Sequence, residues 1–207
     1  MRTAWAGRRT APLLAALLAS LLLSAAGCGG GIAPTRSRSA ADLTNPRLSP
    51  ERSQWLVGAM AWLLSDEEIT AYLALADDAA AKAFEEAFWQ QHDPDPARPG
   101  NPVRELFEER AREADKRFSE AGYLGRRTDR GTLMVLQGEP DSIEFELNPL
   151  PDQPPLEVWK YERAERTGID GRRPLPLYRF IKVGDLTTLY VKRVDPMARG
   201  VPRGRLP

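Results

Sequence analysis

Few side chains in this 207-residue chain have the chemistry of a catalytic group. It contains one histidine, His92, and one cysteine, Cys28. A serine or cysteine nucleophile usually needs an adjacent base, and His92 is the only imidazole that could serve. No nucleophile elbow and no glycine-rich phosphate loop are present. The sequence therefore favours a non-catalytic protein, and we expect neither catalytic residues nor a cofactor.

His92 begins a short polar stretch that also contains Asp93 and Asp95. An imidazole and two carboxylates are metal ligands, but a structural zinc site normally has four ligands at defined spacing. The intervening Pro94 and Pro96 favour a simpler interpretation, the end of a helix. A contact with a partner is a further alternative, and no metal site is predicted.

A second polar stretch consists of Arg126, Arg127, Thr128, Asp129 and Arg130. In one interpretation it is a structural lock, in which the carboxylate of Asp129 accepts backbone N–H groups or pairs with an arginine. In the other it is a ligand site, in which the three arginines face an anion. Both interpretations remain open at this point.

The N-terminus has the pattern of an export signal. Three arginines precede an uncharged run rich in leucine and alanine, residues 11–26, which is short for a membrane-spanning helix. Ala25, Ala26, Gly27 and Cys28 then resemble the lipobox of bacterial lipoproteins. We expect residues 1–27 to be a signal peptide and Cys28 to carry the lipid. Gly29 follows where aspartate would signal retention, so the resemblance implies the outer membrane, facing the periplasm.

The charge of the chain argues against nucleic acid as a partner. Basic and acidic residues number 29 each, and removal of residues 1–27 takes away three arginines and no acid. The mature chain is therefore slightly acidic, whereas nucleic-acid binding requires a dense basic surface. The expected contacts are the membrane, through Cys28, and an envelope protein or polymer.

Residues 28–48 are rich in small and polar residues and predict a flexible tether. Four amphipathic helices follow from capping residues and apolar spacing. Their predicted starts are Ser49-Pro50, Ser65, Asp77 or Asp78, and Asn101-Pro102. The first is expected to run to Leu64, and the third to bury Ala80, Ala83, Phe84, Ala87 and Phe88.

Beyond Gly131 the apolar spacing changes to a period of two, which is typical of strands. The predicted strands are residues 133–137, 142–147, 156–161, 177–183 and 186–193, with turns at 138–141 and at Gly184-Asp185. Helices followed by strands predict an α+β fold, with N-terminal amphipathic helices packed on a C-terminal antiparallel meander. The domain is expected to span residues 49–195, followed by a disordered basic tail, 196–207.

Several short motifs occur in an order that resembles the bacterial GWxTD domain. They are Phe88-Trp89, His92 to Pro96, Asn101, residues 125–131, Gly138 to Asp141 and Glu157 to Tyr161. Arg126 stands where the family has tryptophan. The resemblance implies an architecture and an envelope location, but no activity.

The function expected from these features is that of a membrane-anchored envelope lipoprotein with a non-catalytic binding or structural module. The alternative is an accessory enzyme or a sugar-binding subunit that acts on envelope polysaccharide. A deep pocket with converging acidic side chains would favour the alternative, whereas an exposed apolar or arginine-rimmed patch would favour binding.

Overall fold

The computed structural model describes residues 38–163 and 165–190. The predicted signal peptide, Cys28, the tether before residue 38 and the basic tail lie outside the described residues. The helices are α1 Pro50–Ser53, α2 Met60–Leu63, α3 Asp66–Leu73, α4 Asp78–Gln91, α5 Pro102–Phe118 and α6 Asp129–Gln137. The strands are β1 Ser142–Glu146, β2 Leu156–Lys160, β3 Leu177–Val183 and β4 Leu186–Leu189. No helix within the described ranges is long and apolar enough to cross a membrane.

The four strands form one antiparallel meander in the order β1-β2-β3-β4. Helices precede the sheet along the chain, so the predicted α+β class is confirmed. The turn at Gly184-Asp185 joins β3 to β4 as predicted. Strand β4 is described as far as Leu189, and residues 191–193 of its predicted length lie outside the described residues.

The predicted strand at residues 133–137 is wrong, because these residues form the second half of helix α6. All five residues are buried, so the run lacks the alternation of buried and exposed positions by which an amphipathic helix is recognised. The turn at 138–141 consequently joins α6 to β1, and Gly138 ends the helix with a φ of 76°.

The predicted first helix is divided into α1 and α2. Gly58 lies between them with a φ of 98°, in the left-handed region that favours glycine. A Cβ atom at Gly58 would lie 2.4 Å from the carbonyl oxygen of Arg126. The division therefore lets this loop approach the segment that contains Arg126.

The prediction of a flexible tether through Leu48 extends too far. Leu43 and Leu48 are buried, and the buried side-chain amide of Asn45 donates to the carbonyl oxygens of Tyr72 and Leu75. Residues 38–48 therefore pack against the helices around α3.

Two apolar clusters make up the core, and Leu63 and Phe107 contact both. One cluster is helical and includes the buried Leu56, Tyr72, Phe88 and Trp89. The other joins α5 and α6 to the sheet through Phe118, Val135, Trp159 and Phe180. Helix α4 belongs to the first cluster, and its buried residues are Ala81, Phe88 and Trp89. The predicted Ala83 and Ala87 are exposed, because the buried face is rotated from the predicted one.

Candidate functional site

The candidate site is the signature segment, residues 125–131, which links α5 to α6. It starts with a 3₁₀ turn, Gly125–Arg127. A Cβ atom at Gly125 would lie 1.9 Å from the carbonyl oxygen of Ala114 in α5. A Cβ atom at Gly131 would lie 1.8 Å from the carbonyl oxygen of Gly125. Glycine is therefore required at both positions by close backbone packing.

Thr128 is the N-cap of α6. Its buried hydroxyl accepts from the backbone N–H of Gly131 at 3.1 Å and donates to the carbonyl oxygen of Gly125 at 2.8 Å. A threonine cap satisfies a helix N–H group that has no partner within the helix. The hydroxyl thus joins the start of α6 to the preceding turn.

Arg126 occupies the position at which the resemblance implies tryptophan, and it pairs with Asp115 of α5. The carboxylate of Asp115 accepts from the backbone N–H of Arg126 at 2.9 Å and from the Nε of its side chain at 2.8 Å. A second guanidinium nitrogen lies 2.7 Å from the same carboxylate. This planar contact fastens the segment to α5.

Arg127 donates to the side-chain oxygen of Gln54, in the loop between α1 and α2. Partial burial lowers the pKa of the Arg127 guanidinium, and the neighbouring charge of Arg126 lowers it further. A guanidinium stays protonated at neutral pH even so, because its ordinary pKa lies far above it. Arg127 therefore adds a positive charge beside that of Arg126.

Asp129 and Arg130 extend towards the sheet. The carboxylate of Asp129 accepts from the backbone N–H of Leu189 in β4 at 2.6 Å. The guanidinium of Arg130 pairs with Glu120 at 2.7 Å and with Glu157 of β2 at 3.0 Å. It also lies over the ring of Phe118, 5.3 Å from its centre. These contacts fasten the start of α6 to two strands.

Sequence reasoning did not identify Glu120 as part of this site. Its carboxylate also accepts from the backbone N–H and the hydroxyl of Thr187 in β4, both at 2.9 Å. A tight turn holds it in place, because Glu120 and Tyr123 exchange two backbone hydrogen bonds across Ala121 and Gly122. Both turn residues have positive φ, 49° and 81°. This turn was a local signal for the position of Glu120, but not for its partners.

The polar stretch at His92 is engaged in local contacts. The Nδ1 of His92 lies 2.8 Å from the carbonyl oxygen of Phe88, and its ring stacks on that of Phe88 at 4.2 Å. The carboxylate of Asp93 accepts from the backbone N–H of Asp95. No group of three or more metal-ligating side chains occurs among the residues that the structure describes.

A surface groove of about 440 Å³ lies between α4 and α5. Its carboxylates are those of Glu86, Asp93, Glu105 and Glu108. Arg104 pairs with Glu86 and Glu108, both at 3.0 Å, and Arg98 lies 3.5 Å from Glu105, so three of these four acids belong to ion pairs. Trp89 lines the groove but is only 6% exposed, with its ring against Phe88 and Phe107. None of residues 125–131 lines this groove.

The fold and the site together define a small α+β domain in which the polar signature residues contact the protein itself. The chain belongs to the GWxTD domain family, since the family model of the GWxTD domain matches residues 40–169. The match begins within the predicted tether, which agrees with the packing of residues 38–48. No curated protein and no solved structure matches the chain.

Proposed function

We propose that this protein is a bacterial envelope lipoprotein, anchored through Cys28, whose GWxTD domain is a non-catalytic binding or structural module. The contacts of the signature segment support the second half of this proposal. The Arg126, Asp129 and Arg130 side chains are engaged by other parts of the domain, and the Thr128 hydroxyl bonds the backbone of the segment itself. Side chains used in such internal contacts stabilise the domain itself, as is expected of a structural module.

The proposed anchor rests on the N-terminal sequence. A short apolar run precedes Ala25-Ala26-Gly27-Cys28, as in a lipoprotein precursor. Each buried methylene of an acyl chain contributes about 0.8 kcal/mol, so two or three chains would hold the protein at a membrane. The proposed location is the outer membrane, facing the periplasm.

Mass spectrometry of the mature N-terminus tests the anchor. We expect cleavage before Cys28 and acyl chains on that residue. Cys28→Ser should remain folded, with an unchanged thermal midpoint, but should leave the membrane fraction. A free thiol at Cys28 in the mature protein would refute the anchor.

The groove between α4 and α5 is the place at which an aromatic side chain lies beside acids, as the competing function of an envelope-polysaccharide enzyme or sugar-binding subunit would require. The low exposure of Trp89 argues against it, because sugar binding requires an accessible aromatic face. Purification of the lipidated protein from membranes separates the two functions. A stable protein partner favours the binding module. Polysaccharide binding that is lost in Glu86→Gln with Glu108→Gln would favour the competing function instead.

A further inference from the structure

Strand β1 is an outer strand of the sheet, and its backbone has one side that faces away from β2. The hydrogen bond of Tyr161 shows which backbone groups of β2 face which neighbouring strand. Its N–H donates to the carbonyl oxygen of Pro176, on the β3 side. Backbone groups alternate in direction along an antiparallel strand, so Lys160 and Val158 face β1. These residues are opposite Ser142 and Glu144. The N–H and C=O groups of Ile143 and Phe145 therefore point away from the sheet, and we call this row the β1 edge.

The β1 edge carries exposed apolar side chains. Ile143 is 41% exposed, Phe145 71% and Leu147 93%. Within residues 38–163 and 165–190, no group accepts from the N–H of Ile143 or Phe145 outside the sheet ladder. Outer strands are normally protected by lysine, proline, bulges or covering segments. An outer strand with an exposed apolar face and no covering segment among the described residues is a template for pairing with another strand.

The opposite face of β1 carries two glutamates, each with a basic partner, and we call it the acidic face. Glu144 pairs with Lys160 at 2.6 Å, and Glu146 pairs with Arg179 of β3 at 2.8 Å. Their side chains remain 53% and 41% exposed. A carboxylate accepts several hydrogen bonds, so each glutamate can keep its partner and accept from another cation. The β1 edge thus presents an apolar face and an acidic face.

We propose that the β1 edge binds an extended segment of a partner protein in which apolar side chains alternate with lysine or arginine. The segment adds a fifth strand to the sheet, so that backbone hydrogen bonds hold it and its side chains provide specificity. Its apolar residues lie beside Ile143 and Phe145, and its basic residues beside Glu144 and Glu146. This proposal deepens the binding module proposed above and rests on it.

A second copy of this chain fits the edge less well. In the antiparallel registers that pair Phe145 with Ile143 or with itself, Glu144 is opposite Glu144 or Glu146 of the second copy. Like charges directly opposite one another destabilise a strand pair. The strand is also only five residues long, whereas a stable dimer buries roughly 1,200 Å² or more. Charge and length therefore favour a basic partner segment.

Fluorescence anisotropy of labelled octapeptides with the full lipidated protein in detergent micelles tests the proposal. One peptide alternates valine and lysine, and its matched control has four valines followed by four lysines. Only the first can place all its cations on one face of a strand. We expect the alternating peptide to bind at least about tenfold more tightly, since a cross-strand pair contributes up to about 1 kcal/mol and several form together.

Variants of the edge supply a second control. Phe145→Pro removes an N–H that the sheet does not use, and proline is tolerated on an outer strand. It should abolish the preference for the alternating peptide. Phe145→Ala should weaken binding, whereas Val183→Ala, at another exposed apolar residue, should not. Glu144→Gln with Glu146→Gln should lower affinity for the lysine peptide.

Three results would overturn the proposal. The first is equal binding of the two peptides. The second is self-association of the wild type that Phe145→Pro abolishes, with no peptide preference, which would assign the edge to a second copy. The third is a membrane partner that Phe145→Pro recovers as well as the wild type does. The third result would leave the proposed binding module intact but would rule out the β1 edge as its binding surface. Acylation of Cys28 tests the membrane anchor independently of both.

Discussion

The two outer strands of the sheet present their edges differently. Tyr190 donates its N–H to the carbonyl oxygen of Arg179, so the backbone groups of Thr187 and Leu189 face outward from β4. The carboxylate of Glu120 accepts the N–H of Thr187, and that of Asp129 accepts the N–H of Leu189. Acidic side chains thus occupy the positions at which the carbonyl groups of another strand would bind.

The β1 edge has no such acceptors among the described residues, and it carries Ile143 and Phe145 instead. This difference indicates that another strand can be added to the sheet beside β1 but not beside β4. It also gives Asp129 of the signature a physical role. Asp129 lies in the first turn of α6, where the helix dipole favours negative charge. Its carboxylate also occupies the outward N–H of Leu189 in β4.

The largest effect is expected from Gly131→Ala, which should separate α6 from the 3₁₀ turn. The added Cβ would lie 1.8 Å from the backbone oxygen of Gly125, so the helix start must move and take Asp129 with it. Overpacking typically costs about 1 to 3 kcal/mol, and this clash with backbone should lie at the upper end of that range. Urea denaturation measures the loss.

Gly171→Ala is the matched control for this change. Gly171 has a φ of 71° but no atom within 4 Å of an added Cβ, so the substitution adds backbone strain without a clash. We expect a cost of about 1 kcal/mol. Equal losses in Gly131→Ala and Gly171→Ala would contradict the close-packing argument.

The next effect concerns Glu120, which connects β4 to Arg130. Its side chain and that of Arg130 are 15% and 18% exposed, so removal of the carboxylate leaves a largely buried cation with fewer partners. Glu120→Ala should lower the free energy of unfolding by about 2 to 3 kcal/mol, somewhat less than for a fully buried pair. Denaturation and hydrogen exchange at the Thr187 amide measure the change.

Glu120→Gln separates the two roles of this residue. The amide oxygen can still accept from Thr187, but it no longer neutralises Arg130. Hydrogen bonds to charged groups are roughly twice as strong as neutral ones. Glu120→Gln should therefore lose about half as much unfolding free energy as Glu120→Ala. Faster exchange at Thr187 in Glu120→Gln than in Glu120→Ala would show that the carboxylate does not protect the edge.

The helices are the part of this fold that could be predicted from local sequence. The capping box from Ser65 to Glu68, and the caps at Asp77 and Asn101, occur as their side chains indicate. Such caps depend on residues two or three positions apart, so a single sequence contains the whole signal. Strand β3 also has its predicted bounds, because apolar alternation is a local pattern.

Helix α6 and the β4 edge could not be predicted in the same way. The apolar run 133–137 fits a buried strand or a buried helix equally well, and the local signals for a helix lie at its two ends, the cap at Thr128 and Gly138. The contact between Glu120 and Thr187 joins residues 67 positions apart. No local pattern encodes that pairing, because it depends on how the helices dock on the sheet.

A smaller effect is expected from Asp129→Ala, which uncovers Leu189. The hydrogen bond lies at an exposed position, so water can replace the lost acceptor. We expect a cost of about 1 kcal/mol or less, and a smaller one in Asp129→Asn, which keeps an acceptor oxygen. Thermal denaturation and hydrogen exchange at the Leu189 amide measure the two variants. An unchanged midpoint with lost partner recovery in both would favour the ligand interpretation of this residue.

The smallest effect is a pH dependence at the β1 edge. The hydrogen bond from Arg179 holds the pKa of the Glu146 carboxyl below its ordinary value. A carboxyl group with a depressed folded pKa stabilises the fold above its unfolded pKa, and this stabilisation is lost as the pH falls through the folded pKa. The ion pair between Glu146 of β1 and Arg179 of β3 should therefore weaken only in acid, at a pH below the ordinary pKa of glutamate. NMR titration of the Glu146 side chain measures its midpoint directly.

Arg179→Gln supplies the control for this titration. Loss of the guanidinium should move the Glu146 midpoint upward, towards that of a free glutamate, because the main cause of the depression is removed. Binding of the alternating lysine peptide should fall over the same pH interval in the wild type, since a protonated Glu146 no longer attracts a cation. An identical Glu146 midpoint in the wild type and in Arg179→Gln would rule out the cross-strand pair as the cause, and with it the acidic face on which partner choice at the β1 edge depends.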